Sequence, residues 1–118
     1  MSLDKHQELR KRTKDFALRI MRMCRTIPRT RETNIITNQI LRSATGMAAN
    51  YRAVGLARSK PEFISKLGIV VEEADETVFW LELLGDSEIV PAAKLRELLV
   101  EGNQLVAIFL ASRRTAKS

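Results

Sequence analysis

SKPEFISKLGIVVEEADETVFWLELLG, residues 59–85, decides the fold. At 100° per residue, Phe63, Leu67, Val70, Val71, Ala74, Val78 and Leu81 share one helical face. A second apolar set, Ile69, Phe79, Trp80 and Leu83, lies on roughly the opposite side, mixed with Glu72 and Glu76. A helix in a small monomeric bundle needs one apolar stripe, and this one has two. The second stripe needs cover, most simply another copy of the chain, so those four residues are the expected oligomer interface. The ends are equally legible. Ser59 is placed to cap, with Glu62 at the third helical position completing a capping box. Pro61 sits in the first turn, where its missing N–H is harmless. Gly85 is the expected stop.

Three further helices follow from the same reasoning. The first spans about residues 3–26, with Leu9, Phe16, Ile20, Met23, Cys24 and Ile27 on one face; Pro28 forces its end. The second spans about 31–57, with Ile36, Ile40, Met47, Tyr51 and Val54 inward. It also carries Ser43, Ala44, Gly46, Ala48 and Ala49, which let a neighbour approach. Gly46 in mid-helix costs about 1 kcal/mol against alanine, so close packing is its expected reason. The third runs over 60–85. The fourth spans about 91–112, with Leu95, Leu98, Leu99, Leu105, Val106 and Phe109 in its stripe and a frayed tail from Arg113. Short connections force antiparallel neighbours. The expected fold is an all-α, up-down-up-down antiparallel four-helix bundle, a single domain over residues 1–118, and oligomeric.

The chain carries a net charge of +6, unevenly spread. Residues 1–31 hold ten Lys/Arg against three Asp/Glu, or +7, which leaves −1 for the remainder. On the first helix Lys11, Lys14, Arg22 and Arg25 fall within about 80° of arc, flanked by Arg12 and Arg19. Such a stripe neutralises phosphates and releases counterions, so these six are the candidate nucleic-acid-binding residues. The alternative is a solvated face, with Asp15 pairing Arg19 at i, i+4. Leu18 points outward from the middle of the stripe. There is no zinc finger, RNA-recognition motif or aromatic stacking platform, so binding is expected to follow backbone and shape rather than sequence.

Catalytic readings fare worse. Glu72, Glu73, Asp75 and Glu76 invite comparison with carboxylate-bridged di-metal bundles, but those need paired Glu-x-x-His motifs, and His6 is the single histidine. Salt bridges from the acidic run to Arg42, Arg52 or another subunit are the simpler reading. Cys24 lies on an apolar face, away from His6, and fits an inert core thiol. No glycine-rich phosphate loop occurs. The expectation is no enzyme, no metal and no cofactor. One cysteine, no apolar run of about 18 residues and no leader-like start suggest a reducing cytoplasm without membrane insertion.

Asn38-Gln39-Ile40-Leu41-Arg42-Ser43-Ala44-Thr45-Gly46-Met47-Ala48-Ala49-Asn50, followed by the Ser-x-x-Glu-Phe start at Ser59, resembles the bacterial four-helix bundle proteins of the ribosomal RNA intervening-sequence type. That family is named for reading frames within insertions in large-subunit ribosomal RNA genes. The accessory variability protein of diversity-generating retroelements, a basic protein working with a reverse transcriptase and nucleic acid, is similar. The likeness covers about residues 9–112 and makes Gln39, Arg42, Ser43 and Asn50 the motif residues. It implies a ring-like homopentamer of four-helix bundles with no established enzymatic activity. Many members place Glu-Gly soon after the Asn. Here the run is Tyr51-Arg52-Ala53-Val54-Gly55, so no role tied to that glutamate carries over. Two functions remain in view. One is an RNA- or DNA-binding accessory factor. The other is a protein-interaction scaffold whose basic and acidic zones mate with each other or with a partner.

Overall fold

The computed structural model describes residues 2–118; Met1, with which the expected domain begins, lies outside them. Four helices make up the ordered framework, α1 (Leu3–Arg25), α2 (Arg31–Val54), α3 (Lys60–Asp86) and α4 (Ala92–Lys117), and no strand occurs among the described residues. The molecule measures 44 × 22 × 21 Å, so its long axis is about one α3 length at 1.5 Å per residue. α2 and α4 each pack on both α1 and α3.

Three of the four helix starts are capped by hydroxyls, and α4 begins after Pro91 without a side-chain cap. Ser2 accepts the Lys5 backbone N–H at 3.1 Å. Ser59 accepts the Glu62 N–H at 3.2 Å, but Glu62 does not complete the expected box; its carboxylate lies 4.0 Å from Arg58 and Lys66. The reciprocal capping box sits instead on α2, where Thr30 Oγ1 accepts the Thr33 N–H and Thr33 Oγ1 accepts the Thr30 N–H at 2.7 Å. The sequence signature looks for Glu or Gln three residues on, and threonine does the same job here.

The ends depart from expectation in three places. α2 stops at Val54, three residues short of 57, with Gly55 as its cap. Gly85 does not stop α3, which continues to Asp86 with Ser87 as cap; the positive φ of the following turn falls on Glu88, at 63°. α4 is not frayed beyond residue 112 but runs to Lys117, and within this last stretch Arg113 Nε reaches across to donate to the Ile64 carbonyl at 3.2 Å.

The core is a continuous column. Leu9, Phe16 and Ile20 of α1 meet Ile40, Met47 and Tyr51 of α2, Leu67, Leu81 and Leu84 of α3, and Leu95, Leu105 and Phe109 of α4, all essentially fully buried. Side chains of this kind contribute about 1.5–3 kcal/mol each on burial. Two glycines sit at helix contacts. A Cβ on Gly46 would lie 2.7 Å from Glu73 Oε2, the movable end of a long side chain, so α3 reaches Gly46 only through that carboxylate. A Cβ on buried Gly102 would lie 2.9 Å from Val78 Cγ2 and 3.4 Å from Phe16 Cζ, which makes Gly102 the tighter constraint.

Candidate functional site

The six basic residues expected to form one surface divide between two sides of α1. Arg12 turns to α4: its Nε donates to Glu101 Oε2 at 2.8 Å, and its Nη2 donates to Glu101 Oε1 at 2.7 Å and to Gln104 Oε1 at 2.6 Å. The bond to Arg12 holds the Glu101 carboxyl below its usual range, with Arg19 adding a smaller attraction. Arg12 is raised in turn, chiefly by the same bond. Arg12 therefore ties the α1–α4 seam, and Arg19 contributes to it only through a weaker attraction to Glu101. Lys11, Lys14, Arg22 and Arg25 are exposed. Asp15 pairs with Lys11 at 2.7 Å rather than with Arg19.

On the other side of α1, two open grooves of about 530 Å³ each lie between α1 and α2. One is lined by Gln7, Arg10, Lys11, Lys14, Ala48, Ala49 and Arg52. The other holds Arg25 and Arg29 with Asn34, Thr37 and Asn38. Arg10 and Arg29 do not stand out in the sequence; Arg10 sits to one side of the stripe on the helical wheel. Arg52 is one of three expected partners for the acidic run of α3, yet it lines the groove beside α1. The small Ala48 and Ala49 open this groove, an effect that helical periodicity does not show.

The acidic run is organised by Arg42. Its guanidinium pairs with Glu73, at 3.4 Å, and with Glu76, while Nε donates to Gln39 at 3.3 Å. Ser43 and Thr77 form a buried hydroxyl pair at 2.8 Å across the same seam, and Asn50 Nδ2 donates to the Gly46 carbonyl at 2.8 Å. Three of the four motif residues thus tie α2 to α3 or brace the pair, and Asn50 closes on its own helix. Among the described residues, no group of three or more His, Cys, Asp and Glu gathers as metal ligands do. Cys24 is half-buried, and burial pushes its thiol up to about 11. His6 Nδ1 lies 3.2 Å from the Tyr51 hydroxyl, and burial lowers the imidazole below its usual value.

The second stripe of α3 is less uniform than expected. Ile69 and Phe79 are exposed, at 43% and 49%. Trp80 and Leu83 are half-buried against the chain's own core, with Trp80 Nε1 donating to Glu76 at 3.4 Å. The indole is thus partly sheltered within one chain. Phe79 packs edge-on against Trp80 with ring centres 4.9 Å apart.

No curated protein matches the chain. Among solved structures, a crystal structure of a protein of unknown function from the S23 ribosomal protein family of Bacteroides thetaiotaomicron is similar. It is 29% identical, with a TM-score of 0.81, over 88% of this chain and 96% of that one. No helix among the described residues is long and apolar enough to cross a membrane. Residues 5–111 match the family described as 23S rRNA-intervening sequence protein, and the chain belongs to that family.

Proposed function

We propose that the protein is a non-enzymatic, homo-oligomeric nucleic-acid-binding accessory factor of the cytoplasm. It works through the basic surface of α1. The carrying observation is charge segregation: +7 within residues 1–31, with exposed Lys11, Lys14, Arg22 and Arg25 on one side of α1. The family's link to 23S ribosomal RNA insertions supports RNA as the first ligand to test. The helices are read as up-down-up-down. The α2–α3 contacts favour this, since Arg42 pairs with Glu76 while Gly46, later in α2, lies against Glu73, earlier in α3. Assembly is read from exposed Ile69 and Phe79 beside half-buried Trp80 and Leu83. Five subunits is the number implied by the family resemblance.

Fluorescence anisotropy with structured RNA and duplex DNA tests the binding. Micromolar or tighter affinity that weakens steeply with salt is the expected result. No binding at about 50 mM salt refutes the reading and leaves the protein-interaction scaffold.

A further inference from the structure

We propose that the nucleic-acid contact is the α1–α2 groove system, not the whole circumference of α1, and that its occupant is the phosphate backbone of a duplex. This rests on the nucleic-acid reading above and specifies it. Six cations line the two grooves, Arg10, Lys11, Lys14 and Arg52 in one and Arg25 and Arg29 in the other. None of the described residues lining either groove is Asp or Glu. The seam on the other side of α1 is different in kind. Three of the five N–H donors of Arg12 are taken there by Glu101 and Gln104, and Arg19 shares the same carboxylate's field. A guanidinium whose charge is already paired with a carboxylate attracts a phosphate less than an unpaired one. The Lys11–Asp15 pair joins groups whose side chains are 79% and 51% exposed, so it is weak and readily exchanged for a phosphate.

The occupant follows from what the grooves lack. No Phe, Tyr, Trp or His lines either of them. Single-strand recognition relies on aromatic faces for unstacked bases, whereas duplexes are held through phosphates and shape. Both grooves open to solvent along α1 and α2. Lys14 and Arg25 lie eleven residues apart on α1 (about 16 Å at 1.5 Å per residue). Two basic clusters so spaced can rest on the two strands bordering one groove of a duplex. Asn34, Thr37 and Asn38 add neutral donors at the second cluster. Such contacts position the protein without reading bases.

The test compares three variants of the full chain by anisotropy, titrating salt, against duplex RNA, duplex DNA and a single strand of matched length. Arg10→Ala/Lys14→Ala/Arg52→Ala removes one cluster. Arg25→Ala/Arg29→Ala removes the other. Arg19→Ala is the seam control, chosen because it leaves the Arg12–Glu101 pair in place. Melting curves confirm that all three fold. The triple variant is expected to lose at least about thirtyfold in affinity, with its salt slope reduced by nearly three; the double variant's slope falls by nearly two. The seam control is expected to stay within about threefold. Duplex RNA and duplex DNA distinguish which backbone is preferred, and preference for either over the single strand supports the proposal. Equal losses from the seam control and the triple variant overturn it, as does equal or tighter binding of the single strand. Failure of the unaltered protein to bind any of the three probes overturns the underlying reading as well.

Discussion

Removing Glu101 should loosen α1 from α4 in a pH-dependent way. The two helices meet over the smallest of the bundle's interfaces, and the Arg12–Glu101–Gln104 cluster is its polar tie. The Arg12 and Glu101 side chains are 29% and 18% exposed. That places the pair between exposed ion pairs, worth about 0.2–1 kcal/mol, and buried ones, whose disruption costs about 3–5 kcal/mol. Glu101→Ala strips two charge-assisted bonds from Arg12 but leaves Gln104 and water to serve the guanidinium. A loss of about 2 kcal/mol follows, or a fall of about 8 °C in Tm for a chain of this size. The Glu101 carboxyl is held below its ordinary 4.5, so its stabilisation is fully present above that value and disappears as pH falls through the lowered native one. Chemical denaturation at fixed protein concentration, at pH values from about 7 down to about 2, measures the gap between the unaltered protein and Glu101→Ala. The gap should be constant above about pH 4.5 and shrink below it. A double-mutant cycle with Arg12→Ala should return a coupling of about 1–2 kcal/mol. A coupling under about 0.3 kcal/mol, or a gap that does not shrink with acid, refutes the reasoning.

Gly102→Val should lower stability by about 1–3 kcal/mol, seen as a lower denaturation midpoint, because even a Cβ would press on Val78 at 2.9 Å. If the proposed assembly forms through α3, Ile69→Asp/Phe79→Asp should shift sedimentation toward the 13.4 kDa single chain, with helical circular dichroism preserved; an unchanged sedimentation coefficient removes α3 from the proposed interface. Cys24, its thiol pushed up to about 11, should react with iodoacetamide near pH 8 about a hundredfold more slowly than an unburied cysteine, since only the thiolate attacks.

Local chemistry was readable from the chain alone. Apolar residues at helical spacing fixed four helices and the core, because the 3.6-residue period and the burial of greasy side chains are properties of a segment. Ser59, Pro61 and Pro28 marked boundaries for the same reason. The motif around Arg42 and Ser43 carries the family's signature in the sequence itself. Interactions between distant segments were harder: Arg113, in the last turns of α4, donates to the Ile64 carbonyl on α3, which no local pattern announces.

Partner choice among long charged side chains belongs to the tertiary structure. A helical wheel groups Arg12 and Arg19 with the basic face, but it has no knowledge of Glu101, about ninety residues away, and a carboxylate across the seam removes Arg12 from that face. The wheel likewise leaves out Arg52, which joins Arg10 and Lys14 only once α2 lies beside α1 with Ala48 and Ala49 between them. Trp80, outward by angle, is half-covered because its indole is wide enough to reach back toward the core. Periodicity sets the direction in which each Cβ leaves its helix. What a side chain meets there depends on packing between segments distant in sequence, and long-range electrostatics then decides which charges remain open to a ligand.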